Sequence, residues 1–210
     1  MAIILEKSGD KHRINLDKGM PITGEIKINL DWSKGGLMKR ILGGGDIDLD
    51  LGCFYELRDG KKMLIDGLQF SHGRGGDRYH QTRQGCYTQS PWIWHKGDDR
   101  GGSTESGETI LVNPNGISNI KRITVYTFIY EGVAKWADTN AVVKVSVPGC
   151  QDILVQMGQQ SSNKRFCAIA SIEFGVDNSI EVKKLVTFHD NHSDCDKSYG
   201  WGFTYSPGSK

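Results

Sequence analysis

The 210-residue sequence predicts an all-β protein, a β-sandwich of roughly ten strands with long polar loops and at most one or two short helices. Three observations carry that expectation. Glycine accounts for 27 residues against 5 prolines, about twice average usage and without a three-residue period, so the excess points to tight turns rather than collagen. Alternation of apolar and polar residues recurs along the chain, as a half-buried strand requires. Helical periodicity is scarce.

The first clear strand is Gly24 to Asp31, with Ile26, Ile28 and Leu30 on one face and Glu25, Lys27 and Asn29 on the other. Ile47, Leu49 and Leu51 then alternate with Asp46, Asp48 and Asp50 before the apolar run Cys53-Phe54-Tyr55. Arg58-Asp59-Gly60-Lys61 is a turn, and Lys62 to Phe70 is the returning arm of a hairpin. Thr109 to Val112, Lys121 to Tyr130, Val142 to Val147 and Ile153 to Met157 are β-branched or aromatic runs bounded by turn residues. Arg165 to Phe174 reads as a fully buried strand, and Ser179 to His189 alternates again. A short helix is expected only within Gly132 to Asn140, around Trp136. Neither a repeat nor a linker divides the chain, so residues 1–210 are read as one sandwich domain.

Composition excludes several classes of function. Lys plus Arg is 26 and Asp plus Glu is 25, a formal net charge of +1, which does not suit a bulk polyanion binder. No run reaches the roughly 18 apolar residues of a membrane span. Met1 to Leu5 is followed at once by Glu6, Lys7 and Asp10, so no secretory signal is expected. Five cysteines without a CxxC pair read as reduced thiols of a cytoplasmic protein, several of them buried.

The chemistry concentrates in acidic stretches. In a strand, Asp46, Asp48 and Asp50 share one face while Ile47, Leu49 and Leu51 take the other, and the crowded carboxylates call for a positive partner. A second stretch runs Gly97-Asp98-Asp99-Arg100, with Glu105 and Glu108 beyond it. Carboxylates, carbonyls and glycine-rich backbone are the donors that calcium takes, although the helices, glycine and glutamate of an EF-hand are missing here. The plainer alternative is a solvated strand face neutralised by Arg58, Lys96 or Arg100.

These segments resemble the TerD family of tellurium-resistance and stress proteins. The resemblance lies in Ile28-Asn29-Leu30-Asp31-Trp32, in Asp46 to Asp50 with Phe54, Gly60, Asp66 and Phe70, and in Gly97 to Arg100 with Gly107-Glu108-Thr109-Ile110 and Asn113. The C-terminal stretch, with His192, Asp196, Tyr199-Gly200-Trp201-Gly202 and Lys210, is similar to the TerA branch. The resemblance implies a non-catalytic, calcium-binding scaffold or sensor of bacterial cytoplasm, working with other stress and tellurium-resistance proteins. Its calcium ligands fall on Asp46, Asp48, Asp50, Asp98, Asp99 and Glu108. Family members carry a denser second acidic segment than Ser103 to Glu108, so one calcium site is expected here and the second is in question.

Two rivals come from other residues. A module for a nucleotide, nucleic acid, sugar or peptide would use Arg74, Arg78, Arg83 and Lys96 with Trp92, Trp94 and Trp201, although Trp92 and Trp94 around Ile93 also fit ordinary strand alternation. A metal-dependent hydrolase would draw on His72, His80 and His95, or on His189, His192, Cys195 and Asp196 in what reads as an irregular tail.

Overall fold

The alternating runs form two sheets in the computed structural model, which describes residues 1–16, 22–32, 47–70, 76–97, 107–131, 134–158 and 160–206. The first sheet has seven strands, in spatial order β1 (Ile3–Leu5), β11 (Ile153–Gln156), β10 (Val142–Ser146), β3 (Ile26–Asp31), β8 (Glu108–Val112), β7 (Ile93–His95) and β6 (Gly85–Cys86). The second has six, in the order β2 (Lys11–Asn15), β13 (Ser179–His189), β12 (Phe166–Phe174), β9 (Ile120–Glu131), β4 (Asp48–Leu57) and β5 (Lys62–Asp66). Neighbouring strands are antiparallel except β1 and β11. The all-β sandwich expected from the sequence is present, with thirteen strands among the described residues rather than ten.

Period-two alternation explains the main core. Ile28 and Leu30 of β3, Val143 and Val145 of β10 and Ile110 and Val112 of β8 meet Leu49, Leu51 and Cys53 of β4, Ile123 and Val125 of β9 and Ile169 of β12 between the sheets. The second sheet is also covered on its outer face. Phe54, Tyr126, Phe128, Phe166 and Ala168 point outward and are buried by Cys195 and Trp201 of the C-terminal region. β12 therefore reads as a near-continuous apolar run, as a strand buried on both faces does, and β4 is buried along almost its whole length although it carries Asp50 and Glu56.

The outer cover is a helix, α2 (His192–Tyr199), where the sequence reading expected an irregular tail. Asn191 accepts a hydrogen bond from the Asp194 amide at the start, and Gly200 closes the end at φ 67°. The expected hairpin is present, but its second arm stops at Asp66 and the chain turns into a short helix, α1 (Gly67–Phe70). Around Trp136 a 3-10 turn, Trp136–Asp138, replaces a regular helix. Gly52 lies beneath the Tyr126 ring, and a Cβ there collides with that ring and with Asp66. Gly52→Ala is therefore expected to lower stability by about 1–3 kcal/mol through overpacking, read as a lower urea midpoint at unchanged slope.

Candidate functional site

β4 runs further than β5, and the site grows from that mismatch. The Leu57 amide donates to the Lys61 carbonyl, so odd-numbered residues of β4 aim their backbone groups at β5. Register pairs Gly52 with Asp66, where β5 ends, and Leu51 is left beyond it. Two side chains from the other sheet take the place of the absent strand. Glu108 Oε2 of β8 accepts the Leu51 amide at 2.7 Å, and His95 Nε2 of β7 lies 3.1 Å from the Leu51 carbonyl oxygen. The Gly97 amide donates to His95 Nδ1 at 3.0 Å, so the proton sits on Nε2 and the ring is neutral, donating to Leu51. Nε2 is also 3.6 Å from Glu108 Oε2, and the Phe70 ring closes on the imidazole at 5.0 Å between centroids. Gly107 leads Glu108 into place beside the Leu30 carbonyl, where any Cβ would collide.

The sequence placed six carboxylates at this end. Asp46, Asp98 and Asp99 lie outside the described residues. Asp48 is half-buried and Asp50 is only 1 % exposed, both on the face of β4 opposite Leu49 and Leu51. The alternation is as expected, but the covered sheet turns the Asp50 position into an interior one. Glu108, 2 % exposed, points between the sheets with Ile110 and Val112 and reaches the backbone one residue beyond Asp50. The fold thus joins the first acidic strand to the second acidic segment through Glu108, although Asp50 and Glu108 approach β4 from different faces. Oxygen donors of this kind suit a hard cation such as calcium. Among the described residues, no group of three or more His, Cys, Asp or Glu side chains is placed to hold an ion together. His95 was legible as a buried strand residue, since it shares a face with the core residue Ile93.

His72 and Arg74 lie outside the described residues, and several described members of the rival clusters make structural contacts. His192 Nε2 lies 2.7 Å from Asp66 Oδ2, which also accepts the Tyr126 hydroxyl at 2.7 Å. This pins α2 to the outer face. His189, at the end of β13, meets Thr187 at 2.9 Å and Asp194 at 3.7 Å instead. Burial pushes the thiols of Cys53 and Cys167 up, and that of Cys195 up to about 12, which is unhelpful to a nucleophile. Arg78 stacks on Tyr87 at 4.0 Å and pairs with Glu25 at 2.5 Å, and Trp201 lies buried beneath Arg122 at 4.1 Å. Trp201 is therefore no exposed stacking platform.

Two outcomes follow from this geometry. Glu108→Ala leaves the Leu51 amide buried without its acceptor, at a cost of about 1–3 kcal/mol, whereas Glu108→Gln retains an acceptor. Hydrogen exchange at the Leu51 amide distinguishes them, rising in the alanine variant and much less in the glutamine variant. Burial also holds the His189 imidazole below its ordinary range. The unfolded chain takes that proton first, so stability is complete above about pH 6.5 and falls as the pH drops through that value. His189→Gln flattens that fall in denaturant midpoints measured between about pH 7 and pH 5.

No protein-family model matches the chain. The tellurium resistance protein TerA of Alcaligenes sp. is 34 % identical over an alignment of 192 residues that covers 89 % of this chain and 53 % of TerA. The chain therefore spans about half the length of that curated relative. A crystal structure of a TerD homologue from Streptomyces coelicolor superimposes with a TM-score of 0.50 at 15 % identity, over 80 % of this chain and 90 % of that one. A crystal structure of a protein of unknown function gives 0.53 at 13 % identity over the same shares. These two likenesses establish the fold. Sequence and fold agree with the resemblance drawn from the acidic segments: over the half of TerA that it spans, the chain is a TerD/TerA-like protein.

Proposed function

We propose that the chain is the calcium-responsive sandwich of a tellurium-resistance stress protein, serving as a non-catalytic scaffold or sensor. The observation that carries this reading is the bond from Glu108 to the Leu51 amide, which ties the acidic start of β4 to the acidic start of β8. Asp48 and Asp50, with Asp46, Asp98 and Asp99 from the adjoining segments, are the residues that would hold the ion, while Glu108, which reaches β4 from the opposite face, anchors the strand that carries them. Calcium at this end supplies two positive charges to carboxylates that otherwise repel each other. The chain's own part is to present those oxygens from two sheets, so that occupancy and the closure of the sandwich end are coupled. Other stress and tellurium-resistance proteins are the partners this reading implies, docking where the ordered end is presented.

A ligand of the native state alone stabilises it by RT ln(1 + [Ca]/Kd), about 2.7 kcal/mol at a hundredfold excess over Kd. The thermal midpoint is expected to rise on adding calcium to chelator-treated protein and to fall again with chelator. Asp50→Asn, which preserves shape while removing charge, is expected to abolish most of that response. A midpoint indifferent to calcium and chelator overturns the reading.

A further inference from the structure

The outer face of the seven-stranded sheet carries a polar basin of 540 Å³ whose lining includes Lys27, Asn29, Thr109, Lys144, Ser146 and Cys150. Cross-strand register makes it a grid. Lys144 is opposite Asn29, and Asn29 is opposite Thr109, while in the next row Ser146 is opposite Lys27. Lys144 and Lys27 are thus diagonal neighbours, roughly 7–8 Å apart at the backbone, and their flexible stems can bring both ammonium groups onto one anion. The Asn29 amide donates to the Glu108 carbonyl at 3.3 Å and to Thr109 Oγ1 at 3.1 Å, so the Thr109 and Ser146 hydroxyl protons are the neutral donors between the two lysines. Glu25, at one rim, is already paired with Arg78, and Asp152 closes another part of the rim.

At the lip, Val147-Pro148-Gly149-Cys150 forms a tight turn, with the Cys150 amide donating to the Val147 carbonyl at 3.0 Å and Gly149 at φ 80°. The turn sets Cys150 against the basin. Of the five cysteines, Cys53, Cys86, Cys167 and Cys195 are buried and Cys150 is exposed. Thiol chemistry with a solute therefore falls to Cys150.

We propose that this basin binds a small oxyanion between Lys27 and Lys144, and that Cys150 captures one whose central atom is thiophilic. With singly protonated tellurite the step is a condensation. The thiol proton joins the departing hydroxyl as water, one S–Te bond replaces one Te–O bond, and tellurium keeps its oxidation state, so no oxidant or reductant is needed. Asp152 at the rim is an acceptor for the hydroxyl of such an ion before it leaves. The oxyanion class stands on the basin, and the use of tellurite as the thiophilic probe rests on the resistance reading above.

The test uses the whole chain with chelator present throughout, so its outcome is separate from that of the calcium titration. Native mass spectrometry after incubation with tellurite alone is expected to show one tellurium per chain. Cys150→Ser is expected to show none, and Lys144→Gln to acquire it about tenfold more slowly. Excess inorganic phosphate, which competes for the basin without reacting with the thiol, slows capture by the unmodified chain. Circular dichroism confirms that both exposed-site variants are folded. Tellurium retained by Cys150→Ser, an unchanged rate in Lys144→Gln, or capture unaffected by phosphate overturns the proposal, and each leaves the calcium response of the same protein to be judged on its own.

Discussion

A strand that outruns its neighbour inside a protein leaves polar backbone with nothing to bond, and the acidic end of this sandwich is organised by that constraint. β5 turns away at Asp66 while β4 continues to Asp48, so Leu51 presents its amide and carbonyl to a gap. A carboxylate and an imidazole from the opposite sheet fill it, one accepting and one donating. A side chain is a more adaptable partner than a strand. It satisfies the backbone and also brings its own charge and protonation state to the spot. Glu108 therefore does two things with one group: it completes the hydrogen bonding of β4, and it sets an acidic side chain of one sheet against an acidic strand of the other.

The same hairpin organises the outer face. Asp66, the last residue of β5, is fully buried and accepts from Tyr126, from His192 and from the Leu68 amide, so the point where the strand ends is also the point where α2 is fastened. Tyr126 occupies the room that Gly52 leaves. The cover it helps to seat removes the outer face of β4 from water and takes Asp50 with it. Burial of a carboxylate is unfavourable without compensation, which makes the acidic end sensitive to whatever positive charge it meets. The outer face of the first sheet developed differently. Among the described residues it has no such cover, and its strands present lysines, hydroxyls and an amide around a concavity beside an exposed thiol.

Much of this was readable before any coordinates. The hairpin around Asp59-Gly60, the buried run Arg165 to Phe174 and the alternation through Asp48 and Asp50 are local patterns with local causes, and each appears where the sequence put it. The C-terminal helix was missed because its apolar content is slight. Its cap signals, Asn191 with Asp194 and then Gly200, were present but stood against a stretch too polar to advertise a buried face. His189 and His192 looked like a pair in the sequence. One ends a strand and the other begins a helix, so the turn between them sends the rings to different partners.

The sequence by itself determined the fold class, most strand positions, which side of β4 bears the carboxylates, and the likeness to tellurium-resistance proteins. These follow from side-chain alternation and turn chemistry, which act over a few residues. Only the tertiary structure decided that the second sheet is covered on both faces, that Glu108 and His95 stand in for a missing strand at Leu51, and that Cys150 is the thiol left facing solvent beside two lysines. Those outcomes depend on where one strand stops relative to another distant in the chain, and no short window of sequence contains that information.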